Sequence, residues 1–227
     1  MHVAPGTIVV WSDLACPWAT LAVHRLHATR ARLGLDDQVA IDHRAFPLEL
    51  VNNRCTPRRV LAAEVPVAGA LAPDFGFQVW QAPDAEWPVT TLPALEAVQA
   101  VKAQGLDAAA ALDLGLRKAF FAESRCISMR HVVIDVASAT AGVDVDALTK
   151  SLDEGTARSA VIEQWHAAQD GPVKGSPHLF LADGTDAANP GITMHWEGDH
   201  GRGFPVVDHD DPSVYDDLVR RAARLPG

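Results

Sequence analysis

Positive charge is scarce in this chain. Its 227 residues carry 29 acidic against 19 basic side chains, a formal charge of −10. Only four of the basic residues are lysine, and adjacent arginines occur only at Arg58-Arg59 and Arg220-Arg221. Phosphate backbones and anionic membrane surfaces are held by clustered Lys and Arg, so neither a nucleic acid nor a membrane is expected as partner. Apolar runs are short as well, none near the roughly 20 residues that span a bilayer. The start, Met1-His2-Val3-Ala4-Pro5-Gly6, has no cationic segment of the kind that opens a signal peptide, so a cytoplasmic location is expected. Cysteine is rare too. Three of them (Cys16, Cys55, Cys126) are too few, and odd in number, for a secreted disulfide framework. They read singly, as thiols in a reducing compartment.

Several chemical signatures are missing. No Gly-x-Gly-x-x-Gly or phosphate loop occurs, which removes the usual nucleotide cofactors, and nothing supports a Ser-His-Asp hydrolase. No His-Glu-x-x-His or Cys-x-x-Cys spacing offers a metal its fixed ligands. His195, Asp199, His200, Asp208, His209, Asp210 and Asp211 invite a metal reading, but Gly198, Gly201 and Gly203 make that segment read as a mobile, solvated loop. No metal is expected.

What is present is an ordinary globular composition, 48% hydrophobic and 21% charged. Thr7-Ile8-Val9-Val10-Trp11 is a nearly continuous apolar, β-branched run, as in a strand buried on both faces. Pro17 to about Leu33 has helical spacing and Gly34 stops it. Val39 to Phe46 is a second strand, ended by Pro47, so the chain opens with a βαβ unit and a parallel pair. Prolines at 57, 66, 73, 83, 88 and 93 leave room only for short helices between Pro57 and Pro93. Helices follow over 95–104, 107–123, 129–140, 144–152 and 155–168, with Ser128 and Asp144 at N-cap positions. His178 to Ala182 is a strand, Asp183-Gly184 a hairpin turn, and Ile192 to Trp196 its expected partner. A last helix runs from about Pro212 to Leu225. The fold class is α/β: βαβ, a helical insertion, then ββα. The expected division is 1–56, an inserted 57–170, and 171–227.

One segment carries chemistry. In Ser12-Asp13-Leu14-Ala15-Cys16-Pro17-Trp18-Ala19, Pro17 as first helical residue makes Cys16 the N-cap. Free backbone N–H groups and the positive end of the helix then face its sulfur and favour thiolate. The competing reading is an inert, buried thiol. Far along the chain, Gly175-Ser176-Pro177 precedes a strand, where a cis prolyl corner would leave the Ser176 backbone facing a ligand or the sulfur. His178, next in line, could enter the groove and move a proton. Trp18 would shape the groove, and Asp13 would orient the loop or accept a proton. Glu123 and Arg125 read equally well as ligand contacts or a surface ion pair. His24 and His27 read as packing or surface groups. Trp80, Trp87, Trp165 and Trp196 read as packing.

Together these segments resemble the thioredoxin-fold DsbA family, most of all its FrnE-like and 2-hydroxychromene-2-carboxylate isomerase-like branch. Asp13-Leu14-Ala15-Cys16-Pro17-Trp18-Ala19 is similar to that branch's Asp-x-x-Cys-Pro-Trp-Cys. Leu116 to Ser128 is similar to its Phe-x-Glu-Gly-x-Asp-Ile-Ser segment, and Gly175-Ser176-Pro177 to its Gly-Val-Pro loop. The likeness spans about residues 7–182. It implies a thioredoxin-like fold interrupted by helices, with Cys16 as nucleophile and Asp13, Pro17, Trp18, Ser176, Pro177 and His178 around it. Ala19 replaces the second thiol of the dithiol members, which excludes i+3 resolution of a mixed disulfide. Resolution then falls to a low-molecular-weight thiol, glutathione or mycothiol as co-substrate, or to an internal thiol, with Cys126 preferred over Cys55. No tightly bound cofactor is implied. Two other readings stay open. One is a thiol-dependent isomerase or transferase of small aromatic compounds, with Cys16 contacting the cofactor thiolate. The other is a degenerate binding protein. Partners would be a small thiol or disulfide, or protein disulfides; the oligomeric state is open, a dimer included.

Overall fold

The computed structural model describes residues 2–224. In chain order the strands and helices are β1 Thr7–Ser12, α1 Pro17–Leu33, β2 Ala40–Ala45, α2 Leu48–Asn52, α3 Arg58–Leu71, α4 Leu92–Val101, α5 Leu106–Phe121, α6 Arg130–Ser138, α7 Val145–Glu154, α8 Arg158–Gln169, β3 His178–Phe180, β4 Asp186–Ala188, β5 Ile192–Glu197, β6 Phe204–Asp210 and α9 Val214–Arg224. The helix expected to reach Leu225 is described to Arg224; Leu225 itself, like Met1, lies outside the described residues.

The main sheet has the order β2-β1-β3-β4. β1 runs parallel to β2, from Thr7 opposite Ala40 to Ser12 opposite Ala45, and antiparallel to β3, with Val10 opposite Leu179. The continuous apolar run of β1 follows from burial on both faces. Ile8 and Val10 pack with Val23 and Leu26 of α1 and Tyr215 and Val219 of α9. Val9 and Trp11 point the other way, to Phe46, Phe180 and Ala168. Gly34 ends α1 in the left-handed conformation (φ 65°), which a Cβ would disfavour. α3 to α8 form a larger core between β2 and β3 in the chain, and that core takes in Leu14, Cys16, Trp18 and Ala19. The Cys16 loop is therefore seated in the helical block as well as on the sheet.

Three expectations need correction. α3 runs 14 residues straight through Pro66. Its stripe of Val60, Leu61, Glu64, Val65 and Ala68 is buried, and that packing outweighs the helix bond that proline cannot make. Ser128 is not an N-cap. Its hydroxyl donates to Thr90 O at 2.6 Å and Met129 holds the cap position, whereas Asp144 does cap α7 by accepting from Ala147 N at 3.0 Å. The hairpin after β3 closes on β4, not on Ile192 to Trp196. β5 instead pairs with β6, a strand read from sequence as a solvated loop, in a separate two-stranded sheet. Register between short strands is set by partners, which the local pattern does not name. At the turn of this second hairpin, a Cβ on Gly203 would meet Glu197 O at 1.7 Å, so the strands close there only with glycine.

Beneath the loop lies a fully buried guanidinium. Arg117 of α5 has no solvent exposure. It pairs with Asp113 one turn earlier through Nε–Oδ1 at 2.6 Å and Nη2–Oδ2 at 3.2 Å. Its other hydrogens reach Asp13 O (3.1 Å), Thr20 Oγ1 (3.2 Å) and Ser12 Oγ (2.8 Å). Removing one partner of such a pair strands a buried charge. Arg117→Met is therefore expected to cost about 3–5 kcal/mol, lowering Tm by roughly 6–20 °C in a thermal melt. The double variant Arg117→Met/Asp113→Leu should recover much of that loss. A melt unchanged by the single substitution would show that the guanidinium does not hold this loop.

Candidate active site

Pro17 supplies the fixed φ of a first helical residue, which leaves Cys16 as the N-cap at φ −90°, ψ 115°. Its sulfur accepts from Ala19 N–H at 3.4 Å and its S–H donates to Ser176 O at 3.3 Å. A second tie runs the same way: Asp13 N–H donates to Ser176 Oγ at 2.9 Å. The Ser176–Pro177 peptide is cis. Two segments 160 residues apart thus meet through two hydrogen bonds, with the sulfur between them.

Asp13 is fully buried and works as a clamp. Oδ1 accepts from Ala15 N (2.7 Å); Oδ2 accepts from Leu48 N (2.7 Å) and Thr91 Oγ1 (3.2 Å). Burial raises its pKa, opposed by those hydrogen bonds and by Arg117. Of the two roles read for Asp13, its contacts are those of loop orientation.

A cleft of about 260 Å³ opens over the sulfur. Its lining includes Cys16, Trp18, Arg54, Glu64, Ser176 and His200. Trp18 Nε1 donates to Glu64 Oε1 at 3.1 Å, fixing the first turn of α1 against α3. Cys16 is 5% exposed and Glu64 8%. Burial pushes the thiol up to about 11, helped by the charges of Glu64 and Asp13 and opposed by the Ser176 side chain and the Ala19 N–H. It likewise pushes the Glu64 carboxyl up to about 7, against the Trp18 hydrogen bond. The expected thiolate at position 16 is thus corrected. The helix start does meet the sulfur, but desolvation and two nearby carboxylates outweigh it.

Three other expected site residues, His178, Pro177 and Cys126, do not line this cleft. His178 is wholly buried and turned away. Its Nδ1 accepts from Lys174 N–H at 3.0 Å, so Nε2 carries the proton and faces Asp186 Oδ1 at 2.8 Å. It braces the segment leading into Pro177. Pro177 is buried and accepts from Asn189 N–H at 3.0 Å, extending the β3–β4 pairing. Cys126 is half-buried against the helical core and does not line the cleft. Cys55 is exposed, on the loop whose neighbouring residues Arg54 and Thr56 do line it. Glu123 and Arg125 approach each other at 3.5 Å as an exposed ion pair. Trp80 and Trp87 pack edge to face with ring centroids 5.2 Å apart. In the second hairpin, His195 pairs with Asp208 across the strands at 2.8 Å.

The sequence alone gives Glu64 and Arg54 no functional reading, and gives His200 only a metal reading that is set aside. The helical stripe of α3 was a signal for Glu64, masked by Pro66. His200 depends on the β5–β6 hairpin reaching the cleft, for which no local signal exists.

A thiol held near 11 is about one part in ten thousand thiolate at pH 7. Alkylation of Cys16 by iodoacetamide, followed by peptide mass mapping, is expected to rise about tenfold per pH unit from 7 to 10. A plateau reached below pH 8 would contradict the burial argument.

The comparisons with known proteins agree with this fold. Residues 7–199 match the model of the DSBA-like thioredoxin domain. No curated protein sequence matches the chain. Among solved structures, a probable DsbA oxidoreductase of Streptomyces coelicolor superposes with a TM-score of 0.68 at 20% identity, covering 97% of this chain and 92% of that one. The cytosolic disulfide reductase DsbM of Pseudomonas aeruginosa gives 0.61 at 15% identity over 96% and 95%, and it has also been solved with GSH. A 2-hydroxychromene-2-carboxylate isomerase gives 0.59 at 20% identity over 80% and 87%. At such identities these likenesses speak for the fold, and the domain match over most of the chain shows the family: this protein belongs to the DSBA-like thioredoxin domain family.

Proposed function

We propose that this chain is a thiol–disulfide oxidoreductase working through Cys16 alone, with a low-molecular-weight thiol releasing the mixed disulfide. The observation that carries the reading is the pairing of Cys16 with Ser176 across a small open cleft, with Ala19 where a second thiol would stand. Ala19 is fully buried and its N–H is bonded to the sulfur. Cys16 attacks one sulfur of a disulfide; the other leaves as a thiol; an external thiol then attacks the mixed disulfide and restores Cys16. Arg54 in the cleft wall suits the carboxylate of a peptide-like thiol such as glutathione or mycothiol. The GSH bound in a DsbM structure makes that class of co-substrate reasonable here. A cleft of about 260 Å³ fits a small thiol or disulfide, or an extended disulfide-bearing segment of a protein. Such chemistry belongs in the cytoplasm, where small thiols keep cysteines reduced.

One observation favours a second reading. Burial favours the thiol form of Cys16, and its sulfur lies 3.3 Å from Ser176 O, where an S–H can donate. In a thiol-dependent isomerase or transferase, that S–H would hydrogen-bond a bound cofactor thiolate rather than attack.

Serine keeps a donor and loses the nucleophile, so one substitution separates the readings. Cys16→Ser is expected to lose at least about a thousandfold of glutathione-dependent reduction of bis(2-hydroxyethyl) disulfide, as is Cys16→Ala. Retained turnover in both variants would rule out Cys16 as nucleophile. Transfer of glutathione to an aromatic electrophile that survives in Cys16→Ser and fails in Cys16→Ala would establish the second reading. No turnover in the wild-type chain in either assay would leave a binding protein.

A further inference from the structure

A disulfide reductase whose thiol is protonated needs a base, and the cleft contains one. We propose that Glu64, lining the same cleft, takes the proton from Cys16 through one bridging water as the sulfur attacks and returns it to the departing sulfur. The proposal rests on Cys16 being the nucleophile.

The geometry singles out Glu64 among the nearby acids and bases. α3 places its carboxylate in the cleft wall with Cys16, and Trp18 Nε1, two residues beyond the sulfur, fixes Oε1 at 3.1 Å. Among the described residues no Arg, Lys or His forms an ion pair with it, so its charge is not already neutralised. The alternatives are committed elsewhere. Both oxygens of Asp13 hold loop donors. His178 is locked between Lys174 and Asp186 outside the cleft. His200 lies at the cleft with its ring tilted against Trp196, ring centroids 4.6 Å apart.

The electrostatics fit a shared proton. Burial raises both groups, and the Glu64 charge raises Cys16 further. Two negative charges are therefore disfavoured in the cleft, and one is tolerated. Moving the proton from sulfur to carboxylate keeps that count constant. Glu64 near 7 is about half ionised at neutral pH, so it can serve as base and then as acid. The other ionisable groups facing it are Arg54 and His200 in the cleft, with Asp13 behind the sulfur. α1, β6 and the turn at 73–75 pack on α3. They bring His24, Arg25, Asp74, Asp208, His209 and Asp210, of which His24–Asp74 and Arg25–Asp210 pair with each other. Arg25 also donates to Leu71 O, about two helical turns beyond Glu64.

The step balances. Cys16–SH, the Glu64 carboxylate and R–S–S–R′ give Cys16–S–S–R, Glu64 as carboxylic acid and R′–S⁻. The acid then protonates R′–S⁻ to R′–SH. In the second half Glu64 deprotonates glutathione, which attacks the R sulfur to give G–S–S–R. The Cys16 thiolate leaves and takes the proton back.

Glu64→Gln keeps an acceptor for Trp18 and removes the charge. In glutathione-coupled reduction of bis(2-hydroxyethyl) disulfide, wild-type kcat/KM should rise with pH through a limb centred near 7. That limb should vanish in the variant, with activity about 100-fold lower at pH 7.5. Iodoacetamide labelling of Cys16 at pH 9 should move the opposite way, severalfold faster, because the repelling carboxylate is gone. A merely structural role would not separate the two readouts. Trp18→Phe is a second probe: losing the N–H raises Glu64, so the limb should shift to higher pH. Glu64→Gln within twofold of wild type, or a limb unmoved in Trp18→Phe, overturns the proposal. If Cys16→Ala is inactive while Glu64→Gln is normal, only the role of Glu64 fails; if Cys16→Ala is active, the nucleophile assignment itself fails.

Discussion

The site depends on a buried arginine holding together pieces of backbone that belong to different parts of the chain. Arg117 comes from α5 of the helical block, yet it spends its donors on Ser12, Asp13 and Thr20 around the sulfur loop. Asp13, so placed, turns its carboxylate to Leu48 and Thr91 and its N–H to Ser176. Sheet, prolyl corner and helical block are thereby joined at one short loop. A charged group without solvent is costly unless every donor is used. Here Asp113 balances the charge and the loop supplies the remaining acceptors. That requirement specifies the position of the loop more narrowly than apolar packing alone would.

The same burial sets the chemistry. A helix start near a sulfur favours thiolate when the sulfur is wet. Cys16 is nearly dry and has Glu64 and Asp13 as neighbours, so the balance falls to the thiol. A thiolate formed from a high-pKa thiol is rarer but intrinsically more nucleophilic. Reactivity then turns on how the proton leaves, which moves attention from the helix start to the carboxyl across the cleft.

What could be read from the sequence was local. The β1 run, Pro17 and Gly34 at the two ends of α1, and Asp144 before α7 each carry their signal within a few residues, and each element formed. The meeting of Cys16 with Ser176 was legible only because both segments resemble those of one family. Long-range pairing was not legible. Asp183-Gly184 signals a turn but not its partner, so the local pattern favours β5 over β4, and the glycines around β6 read as a loop. His178 shows the same limit. Its neighbour Pro177 was informative, while its side-chain direction was fixed by Lys174 and Asp186 through tertiary contacts. Pro66 misled more actively, since a rule about backbone hydrogen bonds yielded to a buried helical face and hid Glu64 with it.

The closed side of the sulfur has a consequence for direction. Ala19 is fully buried and donates its N–H to Sγ, and Ser176 O approaches from the prolyl corner. Approach to the sulfur is left to the cleft, whose lining carries Trp18, Glu64, Arg54 and His200. A resolving thiol attached at position 19 would have to come from within the core. In the proposed exchange a diffusible thiol would come through the same opening as the disulfide it replaces, past the same carboxyl. A single cysteine is thus consistent with this architecture, because in the proposed exchange both halves would use one face of one sulfur and one proton acceptor in the same cleft.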